Sequence, residues 1–361
     1  MLYRMLLVSL AVLLTACKIE IKVPTSGDVS TTSEAISCSA GQTCTVDVTD
    51  IFFDETFVAQ PADGFEFKEW KTVERGLCGG LLSPCHLYTS FAADNPALMA
   101  IINDPNEVFH LQPAFQSTGF NALFIGHSFF RPFAEGMPTL AAHAGIANHT
   151  QSIVFSGGAS GAPEALWNNP NKRAQIQAVL DGGDVDLFAM TYHPDYPTIT
   201  GYVNWINYAL AQNPNTRIVV ALPWLTYPET LTTAVYDTQW HAFQQGDFQS
   251  GINFLRNQYP GTDIFAIPYG EAANELRALF DDGNLPDVTA MTANPGDAIY
   301  RDALGHADDI LIELGRLIWL RAIYDVDLTT FNYDPGYITD LKQLAQDIMD
   351  AHDPNYDAPY R

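Results

Sequence analysis

Ala122-Leu123-Phe124-Ile125-Gly126-His127-Ser128 runs four apolar residues into an abrupt Gly-His-Ser turn, and a helix-compatible stretch, Arg131–Ala144, follows. An unbroken apolar run, rather than alternation, is what a strand shows when both of its faces are covered. Four more such runs lie downstream, at Ser152–Phe155, Asp186–Thr191, Arg217–Leu222 and Asp263–Pro268. Between and after them lie helical stretches at Lys172–Leu180, Tyr202–Ala211, Thr238–Asn257 and Glu271–Phe280, and Asp308–Tyr324 closes the series. Strands alternating with helices build a parallel sheet, so residues 118–325 read as an α/β domain. The expected architecture is a five-stranded parallel sheet with helices on both faces. A C-terminal extension, 326–361, adds one helix at Ile338–Met349.

In open α/β sheets ligands bind beyond the carboxyl ends of the strands, which directs attention to four loops. The first holds Ser128 at a strand-to-helix turn, beside N–H groups that favour a developing oxyanion. The second, Phe155-Ser156-Gly157-Gly158-Ala159-Ser160-Gly161, lets backbone approach a substrate closely. The third is Met190-Thr191-Tyr192-His193-Pro194-Asp195, and the last is Tyr300-Arg301-Asp302-Ala303-Leu304-Gly305-His306, just before the final helix of the domain. The first turn is not the elbow G-x-S-x-G, because Phe130 stands where its second Gly is needed. The glycine loop lacks the Lys of a phosphate-binding loop. No histidines are spaced H-x-x-x-H or H-x-H, so no metal site is expected, and the acidic clusters Asp281-Asp282 and Asp350–Asp357 read as solvated.

An early Ser, a Gly loop, a polar residue after the third strand and a late Asp-then-His resemble the SGNH (GDSL-type) hydrolase superfamily, over residues 119–325. The resemblance implies a flavodoxin-like sheet and a serine esterase that works through an acyl-enzyme without a cofactor. Carried over by position, it makes Ser128 the nucleophile, His306 the general base and Asp302 the group that orients the imidazole. It assigns the oxyanion hole to N–H groups of Ser128 and of Gly157 or Gly158. Three departures stand out. His127 precedes the Ser where the family commonly has Asp or Asn. The spacing D-x-x-x-H is one residue longer than D-x-x-H, which leaves Asp297 and Asp309 as alternative orienting acids. Thr191-Tyr192-His193-Pro194 replaces G-x-N-D, so the usual Asn donor is missing. A neutral imidazole carries one N–H, which makes His193 the candidate third oxyanion donor. Tyr192 and Trp224 follow strands and are expected to line the substrate cleft. The departures also sustain a rival reading, a catalytically inactive surface binding or adhesion lipoprotein that keeps the fold as a scaffold.

The chain opens with Arg4, an apolar run from Met5 to Leu14, and Leu14-Thr15-Ala16-Cys17. The run is too short to span a bilayer as a mature helix and fits a secretory signal. Its end resembles the bacterial lipobox, which implies lipid modification of Cys17. Lys18, rather than Asp, follows that Cys, so an outer-membrane or cell-surface location in a Gram-negative bacterium is expected. Polar, Ser/Thr-rich residues 18–35 read as a flexible tether. With 42 acidic against 17 basic residues the net charge is −25, which would repel a phosphate backbone and excludes nucleic acid as a favoured partner. The expected partners are the membrane, through the lipid, and an ester substrate. Acyl groups on a polysaccharide suit an exported enzyme.

Residues 36–117 carry strand-like alternation at Thr43–Val48 and Thr56–Gln60, with turn residues at Pro61-Ala62-Asp63-Gly64. Phe57–Trp70 resembles the F-x-A-x-P-x-x-G-[YF]-x-F-x-x-W pattern of internalin B-type surface repeats, which implies a small β module used as a spacer or binding surface. Four cysteines remain besides Cys17, an even number that suits disulfides in an oxidising compartment, with three possible connectivities. The local pairs Cys38–Cys44 and Cys78–Cys85 are favoured because each closes a short Gly- or Pro-containing loop. Their C-x₅-C and C-x₆-C spacings fit zinc knuckles badly.

Overall fold

The computed structural model describes residues 17–62, 64–293 and 296–352. The signal segment, residues 1–16, lies outside the described residues. The chain divides into two compact units between Ser117 and Thr118.

The first unit is built of small sheets. Lys18–Lys22 pairs antiparallel with Thr43–Asp47 and parallel with Val108–Leu111. Gly27–Thr31 lies between Ser37–Cys38 and Asp54–Pro61, and the latter pairs onward with Cys85–Tyr88. Phe65–Trp70 pairs antiparallel with Pro113–Ser117. The tether expected over residues 18–35 is therefore replaced by two strands. Ile19, Ile21 and Val23 are buried while Lys18, Glu20 and Lys22 are not, a period of two that puts one apolar face against the core. Ser/Thr content hid the second strand, which gives Val29 and Thr31 to the interior.

Both disulfides form as the local pairs Cys38–Cys44 and Cys78–Cys85, each with Cα atoms 5.8 Å apart. Trp70 is fully buried, donates its indole N–H to the Ser83 carbonyl at 3.0 Å and meets the edge of Phe67. Cys17 is also buried. Its N–H donates to the Ile102 carbonyl at 2.8 Å, and burial pushes its thiol pKa up.

The second unit carries five parallel strands: β1 (Asn121–Gly126), β2 (Thr150–Phe155), β3 (Leu187–Thr191), β4 (Arg217–Ala221) and β5 (Ile264–Ile267), in the order β2-β1-β3-β4-β5. Its helices are α1 (Arg131–His143), α2 (Pro163–Asn168), α3 (Pro170–Leu180), α4 (Thr200–Gln212), α5 (Thr233–Phe243), α6 (Gln249–Gln258), α7 (Glu271–Asp281), α8 (Asp309–Tyr324) and α9 (Leu341–Ala351).

β1 explains the unbroken apolar run. Leu123 and Ile125 join the core that holds Ile176 of α3, Trp205 of α4 and Ile252 of α6, while Phe124 points the other way, 5.5 Å from Trp319 of α8. The single long helix expected at Thr238–Asn257 is two helices joined by a π-helical segment, Gln244–Phe248. The buried stripe Tyr236, Trp240, Gln244, Phe248, Ile252 advances by four residues at each step. An α-helix turns every 3.6 residues, so a four-step stripe drifts around it, and one wider turn brings the stripe back to the core. The C-terminal extension is part of the same unit. Leu341, Ala345 and Ile348 of α9 are buried, and Tyr333 donates its hydroxyl to Glu313 of α8 at 2.8 Å.

Candidate active site

Ser128 sits where β1 gives way to α1, held in a tight turn by the Phe130 N–H donating to the His127 carbonyl at 3.1 Å. His306 arrives from the far end of the unit, on the loop between the short strand Ala298–Tyr300 and α8. Its Nε2 stands 2.8 Å from Ser128 Oγ, and its Nδ1 stands 2.7 Å from Asp302 Oδ2.

The extra residue between Asp302 and His306 is accommodated by a turn that the aspartate itself caps. Asp302 Oδ1 accepts the N–H groups of Gly305 and His306, each at 3.1 Å. Gly305 takes φ +98°, a left-handed conformation that a residue with a Cβ would enter only with strain. Burial pushes the Asp302 pKa up. The imidazole and the two backbone N–H groups outweigh it and hold the carboxyl below its usual range. Of the three candidate acids, Asp302 is the one whose carboxylate hydrogen-bonds to His306 among the described residues. Asp297 instead gives its main-chain carbonyl to Thr289.

The glycine loop after β2 packs directly on the nucleophile turn. A Cβ on Gly161 would fall 2.5 Å from the carbonyl oxygens of Gly126 and Ser156 and 2.7 Å from His127 Cβ, so no larger residue fits this approach. Ser160 Oγ donates to the Gly157 carbonyl at 2.6 Å and lies 2.7 Å from Ser156 Oγ, which ties the loop to itself. A Cβ on Gly157 or Gly158 would meet nothing within 4 Å. The outer edge of the loop is open.

His127, which stands where the family commonly has Asp or Asn, is the brace of this rim. It is buried, its Nδ1 receives the Phe129 N–H at 3.4 Å, and its Nε2–H donates to the Tyr192 carbonyl at 2.9 Å. Burial drives its pKa down to about 4, so the ring is neutral at pH 7. It ties the loop after β1 to the loop after β3. Its ring meets that of His193 edge-on, with centroids 4.9 Å apart. His193 Nδ1 accepts the Asp195 N–H at 3.2 Å, which assigns the ring proton to Nε2. Burial lowers the His193 pKa as well.

Of the two aromatics expected in the cleft, Trp224 is buried and Tyr192 lines a cavity. Trp224 is 3% exposed, stacks on Phe129 at 4.8 Å and donates its indole N–H to the Gly305 carbonyl at 2.7 Å. It is a wall behind the histidine loop. The Tyr192 ring packs on Phe243 and Phe248 and lines a cavity of about 100 Å³ with Ile199, Tyr202 and Val220. Its carbonyl, through His127, touches the catalytic rim.

No protein-family model matches the chain, and no curated protein matches it. Among solved structures, it is similar to the periplasmic domain of a lipopolysaccharide acetyltransferase from Salmonella ser. Paratyphi A. The identity is 12%, the TM-score is 0.30, and the match covers 54% of this chain and 82% of that one.

Proposed function

We propose that the α/β unit is a serine ester hydrolase acting on O-acyl groups. The observation that carries this reading is the continuous hydrogen-bonded line from Ser128 Oγ through His306 to Asp302, at 2.8 and 2.7 Å. In the proposed cycle Ser128 Oγ attacks the acyl carbon while His306 Nε2 takes its proton, and Asp302 stabilises the resulting imidazolium. The oxyanion is met by N–H groups of Ser128 and of Gly157 or Gly158, with His193 Nε2–H as the third donor. His306 returns the proton to the departing alcohol, and water then hydrolyses the acyl-enzyme by the same path in reverse.

Two disulfides and the lipobox support an exported protein anchored through Cys17, in the outer membrane or at the cell surface of a Gram-negative bacterium. In that setting the favoured substrate is an O-acetylated polysaccharide.

A fluorophosphonate probe and p-nitrophenyl acetate test the chemistry together. Turnover of the ester, blocked by probe attached at Ser128, is the expected result. Absence of both turnover and labelling in folded protein would reject the enzyme and leave the binding lipoprotein.

A further inference from the structure

Away from the triad, α5 and α7 bring a second set of chemistry-bearing side chains together. Asp237 and His241 are one turn apart on α5, and Glu271 and Asn274 are one turn apart on α7. One oxygen of each carboxylate and one nitrogen of His241 lie within 4.8 Å of one another. We propose that Asp237, His241, Glu271 and Asn274 form a binding site for a divalent transition-metal cation of the Zn²⁺ class.

The donor set suits that ion. Imidazole with carboxylates and an amide oxygen is a borderline nitrogen–oxygen set, which Zn²⁺ takes in tetrahedral geometry. His241 Nδ1 lies 3.1 Å from both the Asp237 main-chain carbonyl and Asp237 Oδ1, contacts that place its proton there and leave Nε2 facing the partner helix. Nε2 stands 3.2 Å from Glu271 Oε2. Two donors bound to one zinc at about 2.0–2.2 Å sit roughly 3.3–3.6 Å apart, so this edge is within about 0.1 Å of ligand spacing. The widest separation in the set would close by about 1 Å on binding.

Asn274 provides an independent indication. Its side chain is 4% exposed, and Nδ2 donates to Glu271 Oε2 at 2.9 Å. The amide oxygen on the same carbon has no hydrogen-bond partner among the described residues. A buried acceptor without a donor is costly, and a cation held beside it would satisfy it. Glu271 is buried while Asp237 is half exposed, so the set has an enclosed floor and an open side for entry.

The site is not part of the catalytic line, but α7 reaches that line through Arg277. Arg277 donates to the carbonyls of Pro228 and Leu231, and the Tyr227 N–H beside that segment donates to the Leu304 carbonyl. An ion that fastens α5 to α7 would stabilise the support of the His306 loop.

The test is calorimetric titration of untagged protein with zinc chloride, read together with the thermal midpoint and with the visible spectrum of a Co²⁺-loaded sample. One ion per chain, a higher midpoint with zinc and tetrahedral Co²⁺ bands are expected. His241→Gln and Glu271→Gln should each weaken binding at least tenfold while far-ultraviolet circular dichroism stays unchanged. If Glu271→Gln does not fold, the more exposed Asp237→Asn takes its place. Lack of saturable binding, or equal binding by wild type and His241→Gln, would overturn the proposal.

Discussion

Trp224 donates its indole N–H to the carbonyl of Gly305, the residue immediately before His306, across 2.7 Å. The donor is nearly fully buried and the acceptor belongs to the turn that carries the imidazole. Position of the base is therefore written partly into the loop after β4. Trp224→Phe keeps a ring to stack on Phe129 and removes the N–H. A buried carbonyl left unpaired costs about 1–3 kcal/mol. We expect a lower thermal midpoint and, if about 1.4 kcal/mol of that loss is felt at the imidazole, a tenfold fall in kcat with KM little changed. A lower midpoint with unaltered kcat would assign Trp224 to packing alone.

Asp302→Asn should lower kcat by about 10⁴, the order expected when the imidazole loses the acceptor that fixes its tautomer. Asp297→Asn and Asp309→Asn should leave kcat within about twofold, because neither carboxylate bonds to His306. Steady-state turnover of p-nitrophenyl acetate by the three variants decides it. A large loss in either of the latter two, with Asp302→Asn active, would move the orienting role.

Much of this arrangement was legible in the chain because covered strands and their loop residues leave a local trace. The runs at Ala122–Ile125 and Arg217–Leu222 read directly as strands since both faces are buried. Ser128, Asp302 and His306 lie at strand and helix ends, where the topology puts chemistry, and the resemblance to the SGNH superfamily is what singles them out there. What stayed hidden has no local period. The strand Gly27–Thr31 is polar in composition and owes its place to pairing with Asp54–Pro61. The Trp224–Gly305 bond joins residues far apart in sequence. The Asp237–His241 and Glu271–Asn274 pairs are unremarkable on their own helices and acquire meaning only where α5 meets α7.

Cys17 makes a prediction about anchoring. Its thiol is buried in the β unit, so thioether attachment of a lipid requires that side chain to leave the core. In protein produced without residues 1–16, the Cys17 thiol should react slowly with a disulfide reagent until the protein is unfolded. In the full-length chain expressed in a Gram-negative host, radiolabelled palmitate should enter wild type and not Cys17→Ser. Label absent from wild type would remove the anchor.

His127 makes stability depend on pH. Its folded pKa, about 4, lies below the ordinary histidine value because burial disfavours the imidazolium. Above about pH 6.5 the ring is neutral in both folded and unfolded chains and exerts no pH-linked effect. As pH falls from there toward 4, the unfolded chain takes up a proton that the folded one refuses, and stability drops. The linkage amounts to about 3 kcal/mol across that window. Urea denaturation at pH 7 and at pH 4.5 should show a smaller loss in His127→Asn than in wild type. Equal losses would show that other groups carry the acid limb.

His193 is the sharpest test of the oxyanion assignment. Acceptance of the Asp195 N–H at Nδ1 leaves the ring proton on Nε2, and burial lowers the pKa, which favours the neutral ring carrying that one donor. The ring lies against His127, the residue before Ser128, on the rim that the nucleophile shares. Losing one preorganised donor costs about 10²–10³ in kcat, so His193→Ala should fall in that range with KM nearly constant. His193→Asn returns an N–H to nearly the same place and should recover part of the loss, whereas His193→Phe, which fills the space without a donor, should not. If all three variants keep kcat within a few-fold of wild type and only the thermal midpoint falls, the residue packs the loop before Pro194 and the third donor lies elsewhere on the rim.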